Sequence, residues 1–303
     1  QGEQYLYTLK AELSDDSGVI DECSKMTGFR RVRLVMNEGG WNAPAPATQA
    51  TFPFTLEVNG RRIFAKGSNF VSADIFYSLI DIERYRSLIG LALECNMNIF
   101  RMWGGSPVNK DEFFELCDKL GMMVWQEFPL SCNNYPDMKH YIDTLRTEST
   151  SIVKRLKNHP SVVMWCIGNE VPDQGSAQGA KLCRMMQDIV HREDPTRPCT
   201  QGMDRVDAAI KSHVAAIMDI PGFNYRSNLY QKAYKALPQQ VVLGSETAST
   251  VSSRGVYKFP VERKAGAKYD DHQSSSYDVE HCSWSDLPED NFILSEDLPY
   301  DMG

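Results

Sequence analysis

Two glutamates, Glu170 and Glu246, each stand where an apolar, β-branched run ends. The runs are Ser161-Val-Val-Met-Trp-Cys-Ile-Gly-Asn169-Glu170 and Gln240-Val-Val-Leu-Gly-Ser-Glu246. Such runs read as strands buried on both faces, as in a parallel sheet. A carboxylate is costly inside that core but well placed at the carboxyl end of a parallel strand, where barrel enzymes hold their chemistry. Two of them, one per strand, suit the cleavage of a glycosidic bond: one carboxyl protonates the departing oxygen while the other attacks the carbon it leaves. A single glutamate at a strand end is more simply a salt-bridged rim residue. It is the pair that points to catalysis.

The elements that must hold the pair follow from periodicity. From residue 63 onward, strand-like and helix-like runs alternate, the mark of α/β architecture. Strands are read at Ile63-Phe-Ala-Lys-Gly-Ser-Asn69, Asn98-Ile-Phe-Arg-Met-Trp103, Met122-Met-Val-Trp-Gln-Glu127-Phe, the two glutamate-bearing runs, Pro198-Cys-Thr-Gln-Gly and Ile217-Met-Asp-Ile-Pro-Gly-Phe-Asn-Tyr225. Helical spacing predicts helices over 82–95, 110–120, 141–158, 179–192 and 229–237, the second closed by Gly121. Seven βα units result, where a (β/α)8 barrel has eight. The segment after Ser252, rich in Ser, Asp, Tyr and Pro, offers no eighth strand.

The beginning of the chain reads differently. Tyr5-Leu-Tyr-Thr-Leu-Lys-Ala-Glu-Leu alternates apolar and polar residues, Asp15-Asp-Ser-Gly18 is a turn signal, and Phe29-Arg-Arg-Val-Arg-Leu-Val is a second strand. The expected organisation is the tail of a β-sandwich over 1–36, a linker over 37–53 carrying Gly39-Gly40 and Ala43-Pro-Ala-Pro46, and a barrel over 54–303 that is short of its C-terminal end. The barrel opens with a hairpin, because Asn59-Gly60 between β-runs favours a type I′ turn.

Composition excludes some functions. A net charge of −8 over 303 residues argues against a nucleic-acid partner, which needs a basic face. No apolar run nears the ~20 residues that span a bilayer, so no membrane partner is expected, and no signal peptide is seen. The eight cysteines form no C-x-x-C pair and read as free thiols filling core space. The histidines lack ligand spacing and no Gly-rich phosphate loop is present, so neither metal nor cofactor is expected. His159, before Pro160, is read as ordering the turn into the Glu170 strand.

Four longer motifs carry a resemblance. Arg101-Met-Trp-Gly-Gly105, the stretch from Phe113-Phe-Glu-Leu-Cys-Asp-Lys to Val124-Trp-Gln-Glu-Phe128, Asn158-His-Pro-Ser-Val-Val-Met-Trp165, and Asn169-Glu170 resemble glycoside hydrolase family 2. The likeness runs from residue 54 onward, and the leading segment is similar to the end of that family's immunoglobulin-like domain. It implies a TIM barrel and retaining exo-β-glycosidase chemistry without a cofactor, with Glu170 matching the acid/base and Glu246 the nucleophile. It also favours a periplasmic or secreted location and leaves an oligomer open. In that chemistry Glu246 forms a glycosyl-enzyme ester, while Glu170 first gives up a proton and then takes one from water.

Within this frame Asn169 is expected to meet the sugar 2-hydroxyl and Tyr225 to hold the nucleophile, unless Tyr225 is merely packed under a loop. Trp103, with Gly104-Gly105, suits an aromatic wall or a place in the core. Arg101 is expected to pair with Glu246 or Glu127, in catalysis or as a structural ion pair. Glu127 and Asn69 end barrel strands, and Asp204 could touch sugar hydroxyls or cap a helix. The branches divide. Residues up to about 165, including Trp125-Gln-Glu-Phe-Pro-Leu-Ser-Cys-Asn-Asn-Tyr-Pro136, resemble β-mannosidases. Ile167-Gly-Asn-Glu-Val-Pro-Asp-Gln174, Thr200-Gln-Gly-Met-Asp204, Ile220-Pro-Gly-Phe-Asn-Tyr225 and Gly244-Ser-Glu-Thr-Ala-Ser249 resemble β-galactosidases. Gly67-Ser-Asn-Phe stands where the galactosidase branch has a histidine-rich segment. The expectation is a β-galactoside-cleaving enzyme, with a β-mannosidase as the alternative and an inert carbohydrate-binding fragment as a third reading.

Overall fold

The computed structural model describes residues 3–36, 54–226 and 229–246. The expected linker over 37–53, and the segment after Ser252 read as lacking an eighth strand, lie outside them. The described residues fall into two compact units. One holds the chain up to Asn169 together with Arg184–Cys199; the other holds Glu170–Cys183 and the chain from Thr200.

The first unit opens with an antiparallel hairpin, β1 (Tyr7–Asp15) and β2 (Gly18–Thr27). Its turn is set by Asp15, whose Oδ1 accepts from the Ser17 amide at 2.8 Å, and by Gly18 at φ 118°. β2 fills residues that carry no strand signal in sequence, because its side chains are exposed on both faces and show no burial alternation. β3 (Val32–Met36) pairs antiparallel with β4 (Phe54–Val58), and β4 pairs with β5 (Arg61–Ile63). Asn59 and Gly60 turn between them with φ 48° and 78°, the two left-handed residues of a type I′ turn.

The strand expected over 63–69 is divided. Ile63 still belongs to the hairpin, opposite Leu56, and the parallel sheet starts with β6 (Gly67–Phe70). Asn98 holds the connection, accepting from the Lys66 amide at 2.7 Å and donating to the Phe64 carbonyl at 2.9 Å. Gly67 is required here, since a Cβ would lie 1.8 Å from the Ile99 carbonyl oxygen.

Helix and strand then alternate: α1 (Ile82–Glu94), β7 (Ile99–Met102), α2 (Asp111–Leu120), β8 (Met123–Glu127), α3 (Lys139–Leu156) and β9 (Val162–Asn169). The strands lie parallel in the order β6-β7-β8-β9. α1 starts because the Asp81 side chain accepts from the Arg84 amide, and it buries Tyr85, Ile89 and Ala92, one face of a helix. α2 stops at Gly121, left-handed at φ 76°. Phe113, Phe114, Val124 and Trp165 are fully enclosed, each stabilising the fold by roughly 1.5–3 kcal/mol.

A buried polar network closes the amino end of β9. Asp118 accepts from the Ser161 amide at 2.9 Å and meets His159 Nδ1 at 2.6 Å. Asp194 accepts from Trp165 Nε1 at 2.9 Å and pairs with Arg197, whose Nε donates to the Val162 carbonyl at 2.6 Å. His159 therefore orders the turn into this strand.

α4 (Ala177–Glu193) follows β9 in the chain. The second unit holds β10 (Cys199–Met203) from Thr200 onward, α5 (Val206–Lys211), α6 (Val214–Ile217), β11 (Ile220–Asn224), α7 (Tyr230–Ala236) and β12 (Leu243–Glu246). Its strands are parallel in the order β10-β11-β12. The short helices α5 and α6 connect β10 to β11 in the chain, and Ile217 ends α6 rather than opening a strand. Each is too short to show a helical period.

Candidate active site

Glu170 is the first residue past β9 and Glu246 the last of β12; both belong to the second unit. Glu170 has φ 47°, a left-handed backbone that an L side chain adopts at a cost, and its amide donates to the Gly202 carbonyl at 2.7 Å. Tyr225 is left-handed too, at φ 56°. Strain of this kind persists where the surroundings over-determine it, and it clusters at functional sites.

Tyr225 and Asn224 handle the two carboxylates between them. The Tyr225 hydroxyl donates to Glu246 Oε2, and its amide donates to the Glu246 carbonyl at 2.7 Å. Asn224 Nδ2 donates to Glu170 Oε1 at 2.7 Å, and Asn224 Oδ1 accepts from Ser245 Oγ at 2.6 Å. Consecutive residues at the end of β11 thus grip one glutamate each. Asn224 and Ser245 escape a reading of the sequence. Strand alternation would send Asn224 and Tyr225 to opposite faces. The register shift at Phe223/Asn224 and the left-handed Tyr225 break that alternation, and neither is visible in a string of letters.

Asp204, just past β10, accepts from Gln174 Nε2 at 2.6 Å. Gln174 in turn accepts from the Arg205 amide at 3.0 Å. Asp204 does not cap α5, whose start has no side-chain cap.

The remaining candidates lie in the first unit. Arg101 pairs with Glu127 at 2.9 Å, with side chains only 2% and 0% exposed. This is the second of the two partners expected for Arg101. Its Nη2 also donates to Asn169 Oδ1 at 2.7 Å and its Nη1 to Asn69 Oδ1 at 3.3 Å. The guanidinium lies 5.2 Å from the centre of the Trp125 ring. Asn169 is buried and its Nδ2 faces Cys132 Sγ at 3.5 Å. A Cβ on Gly104 would come within 2.4 Å of the Phe128 carbonyl oxygen and 2.9 Å of Glu127 Oε1, so the turn after β7 needs glycine for Glu127 to fit. The Trp103 ring covers Gly105, where a Cβ would be 1.9 Å away.

Among the described residues no cluster of three His, Cys, Asp or Glu could hold a metal, and no helix is long and apolar enough to cross a membrane. Cys117, Cys166, Cys183 and Cys199 are buried free thiols, whereas Cys23, Cys95 and Cys132 are exposed, against the expectation that the thiols fill the core.

Comparison with known proteins adds to this geometry. The profile described as "Glycosyl hydrolases family 2, TIM barrel domain" matches residues 54–276. A β-mannosidase of Bos taurus is 40% identical over 169 residues, 56% of this chain and 18% of that protein. β-Mannosidase B of Thermothelomyces thermophilus is 38% identical over 171 residues, 56% of this chain and 19% of its own length. The chain thus spans less than a fifth of these curated relatives. Among solved structures, the β-D-mannosidase of Dictyoglomus thermophilum superposes with a TM-score of 0.56 at 36% identity, covering 65% of this chain and 25% of that one. A family 2 member from Bacteroides cellulosilyticus reaches a TM-score of 0.66 at 27% identity, covering 82% and 30%.

Proposed function

The chain belongs to glycosyl hydrolase family 2, carrying its TIM barrel domain, and on that premise we propose that it forms the catalytic region of a retaining exo-β-glycosidase. One observation carries the reading. Two strand-end glutamates are gripped by consecutive residues, Glu170 by Asn224 and Glu246 by Tyr225. A phenol donating to a carboxylate fixes its direction, which suits a nucleophile. Glu246 attacks the anomeric carbon as Glu170 passes its proton to the leaving oxygen; water then attacks the same anomeric carbon as Glu170 takes the water's proton and the Glu246 carboxylate departs.

The other residues fall into support. Arg101, enclosed with Glu127, holds the Asn169 carbonyl oxygen, so that the Asn169 amide is set for a sugar hydroxyl. Trp103, Asn69 and Asp204 are proposed sugar contacts. For the sugar we favour a terminal β-mannoside, because the relatives above that share 36% to 40% identity are named β-mannosidases. A β-galactoside is the second reading, resting on the motifs that surround both glutamates in sequence.

Hydrolysis of aryl β-mannoside, β-galactoside, β-glucoside and β-glucuronide decides between them. Selective cleavage of the mannoside is expected. Selective cleavage of the galactoside would transfer the assignment to the second reading, and cleavage of none by folded protein would remove the enzyme reading for this chain.

A further inference from the structure

We propose that Asn224 is a positioning residue that decides which oxygen of Glu170 carries the catalytic proton. The inference rests on the reading of Glu170 as acid/base. Glu170 must be a protonated carboxyl in the first half-reaction and a carboxylate in the second. A partner that only accepts would serve the first state, and a cation would hold Glu170 in the second. An amide N–H serves both, because the carbonyl oxygen of a carboxyl and either oxygen of a carboxylate accept it equally well in geometry.

The structure orients that amide. Ser245 Oγ, 2.6 Å from Asn224 Oδ1, donates to the amide oxygen and leaves Nδ2–H directed at Glu170 Oε1 at 2.7 Å. With Oε1 accepting, the proton of the acid form resides on Oε2. That proton goes to the glycosidic oxygen as the C–O bond breaks, and the proton taken later from water returns to the same oxygen. The N–H···Oε1 contact therefore survives both steps, and the carboxyl need not rotate between them. Ser245 directly precedes Glu246, and Asn224 lies opposite Glu246 in the β11–β12 register. One short network thus ties the acid/base to the strand end that carries the nucleophile. Its backbone cost is the left-handed conformation of Glu170 and of Tyr225.

The test is the pH dependence of kcat/KM, whose alkaline limb reports ionisation of the general acid. Asn224→Asp removes the donor and sets a second carboxylate against Glu170. It is expected to move the alkaline limb upward by about one pH unit. Ser245→Ala frees the amide to turn and is expected to move the limb in the same direction by less. A variant that merely loosened the fold would lower the rate at every pH and leave the limb in place. Should Asn224→Asp fail to fold, Ser245→Ala reads the same limb. A limb unmoved in the folded variants overturns the assignment of Asn224. Glu170→Ala separates this inference from the reading beneath it. It abolishes the alkaline limb if Glu170 is the acid/base, and a limb that persists in it overturns both together.

Discussion

Glutamates end parallel strands in both units of this protein, and the contacts seen at each differ in kind. Glu127, in the first unit, is buried in a pair with Arg101. Glu170 and Glu246, in the second unit, meet an amide and a phenol. A buried carboxylate beside a guanidinium is locked in its charged form, because protonation would strand the cation in a low-dielectric surrounding. An amide or a phenol hydrogen-bonds a carboxylate without placing a formal charge beside it. Strand-end glutamates look alike in sequence; on the proposed reading Glu170 exchanges a proton and Glu246 forms an ester, while Glu127 holds its neighbours in place.

The same chemical change made in each group should therefore produce different losses. Glu246→Gln keeps the side-chain shape but removes the proposed nucleophile. Turnover is expected to fall at least about a thousandfold, equivalent to roughly 4 kcal/mol of barrier, while the melting temperature changes little. Glu127→Gln removes the carboxylate that pairs with buried Arg101 and is expected to cost about 3 kcal/mol of stability. Denaturant unfolding measures that cost. The pH dependence of whatever activity remains should keep its wild-type limbs. A Glu127→Gln protein as stable as the parent, with a displaced limb, would erase the distinction drawn between the two groups.

One side of this contrast is legible in the amino-acid sequence. The βα alternation follows from apolar periodicity, Gly121 from its place after a helical run, and both proposed catalytic glutamates from where buried runs end. The partners are harder to see. Arg101 has two candidate carboxylates because a parallel sheet brings distant segments side by side, and sequence does not convey lateral distance. Asn224 is hidden by a register shift that re-aims one side chain. β2 carries no signal because it buries neither face, and the division between β5 and β6 depends on hydrogen bonds made by Asn98, about thirty residues further on. What sequence conveys poorly here is pairing between segments, and pairing is what tells Glu127 from Glu246.

The smallest effect expected concerns a charge-paired carboxylate at the other end of a strand. Burial works against ionisation of Asp194, but the Arg197 guanidinium, the Thr196 side chain and the Trp165 N–H outweigh it and hold its carboxyl below the usual carboxylate range. A folded-state value below the unfolded one means that Asp194 stabilises the fold fully at pH above the ordinary carboxylate value of about 4. That contribution fades as pH falls through the lower, folded value. Asp194→Asn removes the charge while leaving an oxygen to accept from Trp165 or Thr196. It is expected to cost about 1–2 kcal/mol at neutral pH, in the range of hydrogen bonds to charged groups. The parent loses the same charge on acidification, so the stability curves of variant and parent should converge below about pH 4. Thermal unfolding across that range tests the point. Curves that stay parallel would mean that Asp194 acts through shape and hydrogen bonding alone, and that pairing with a guanidinium does not by itself lock a buried carboxylate in its charged form here.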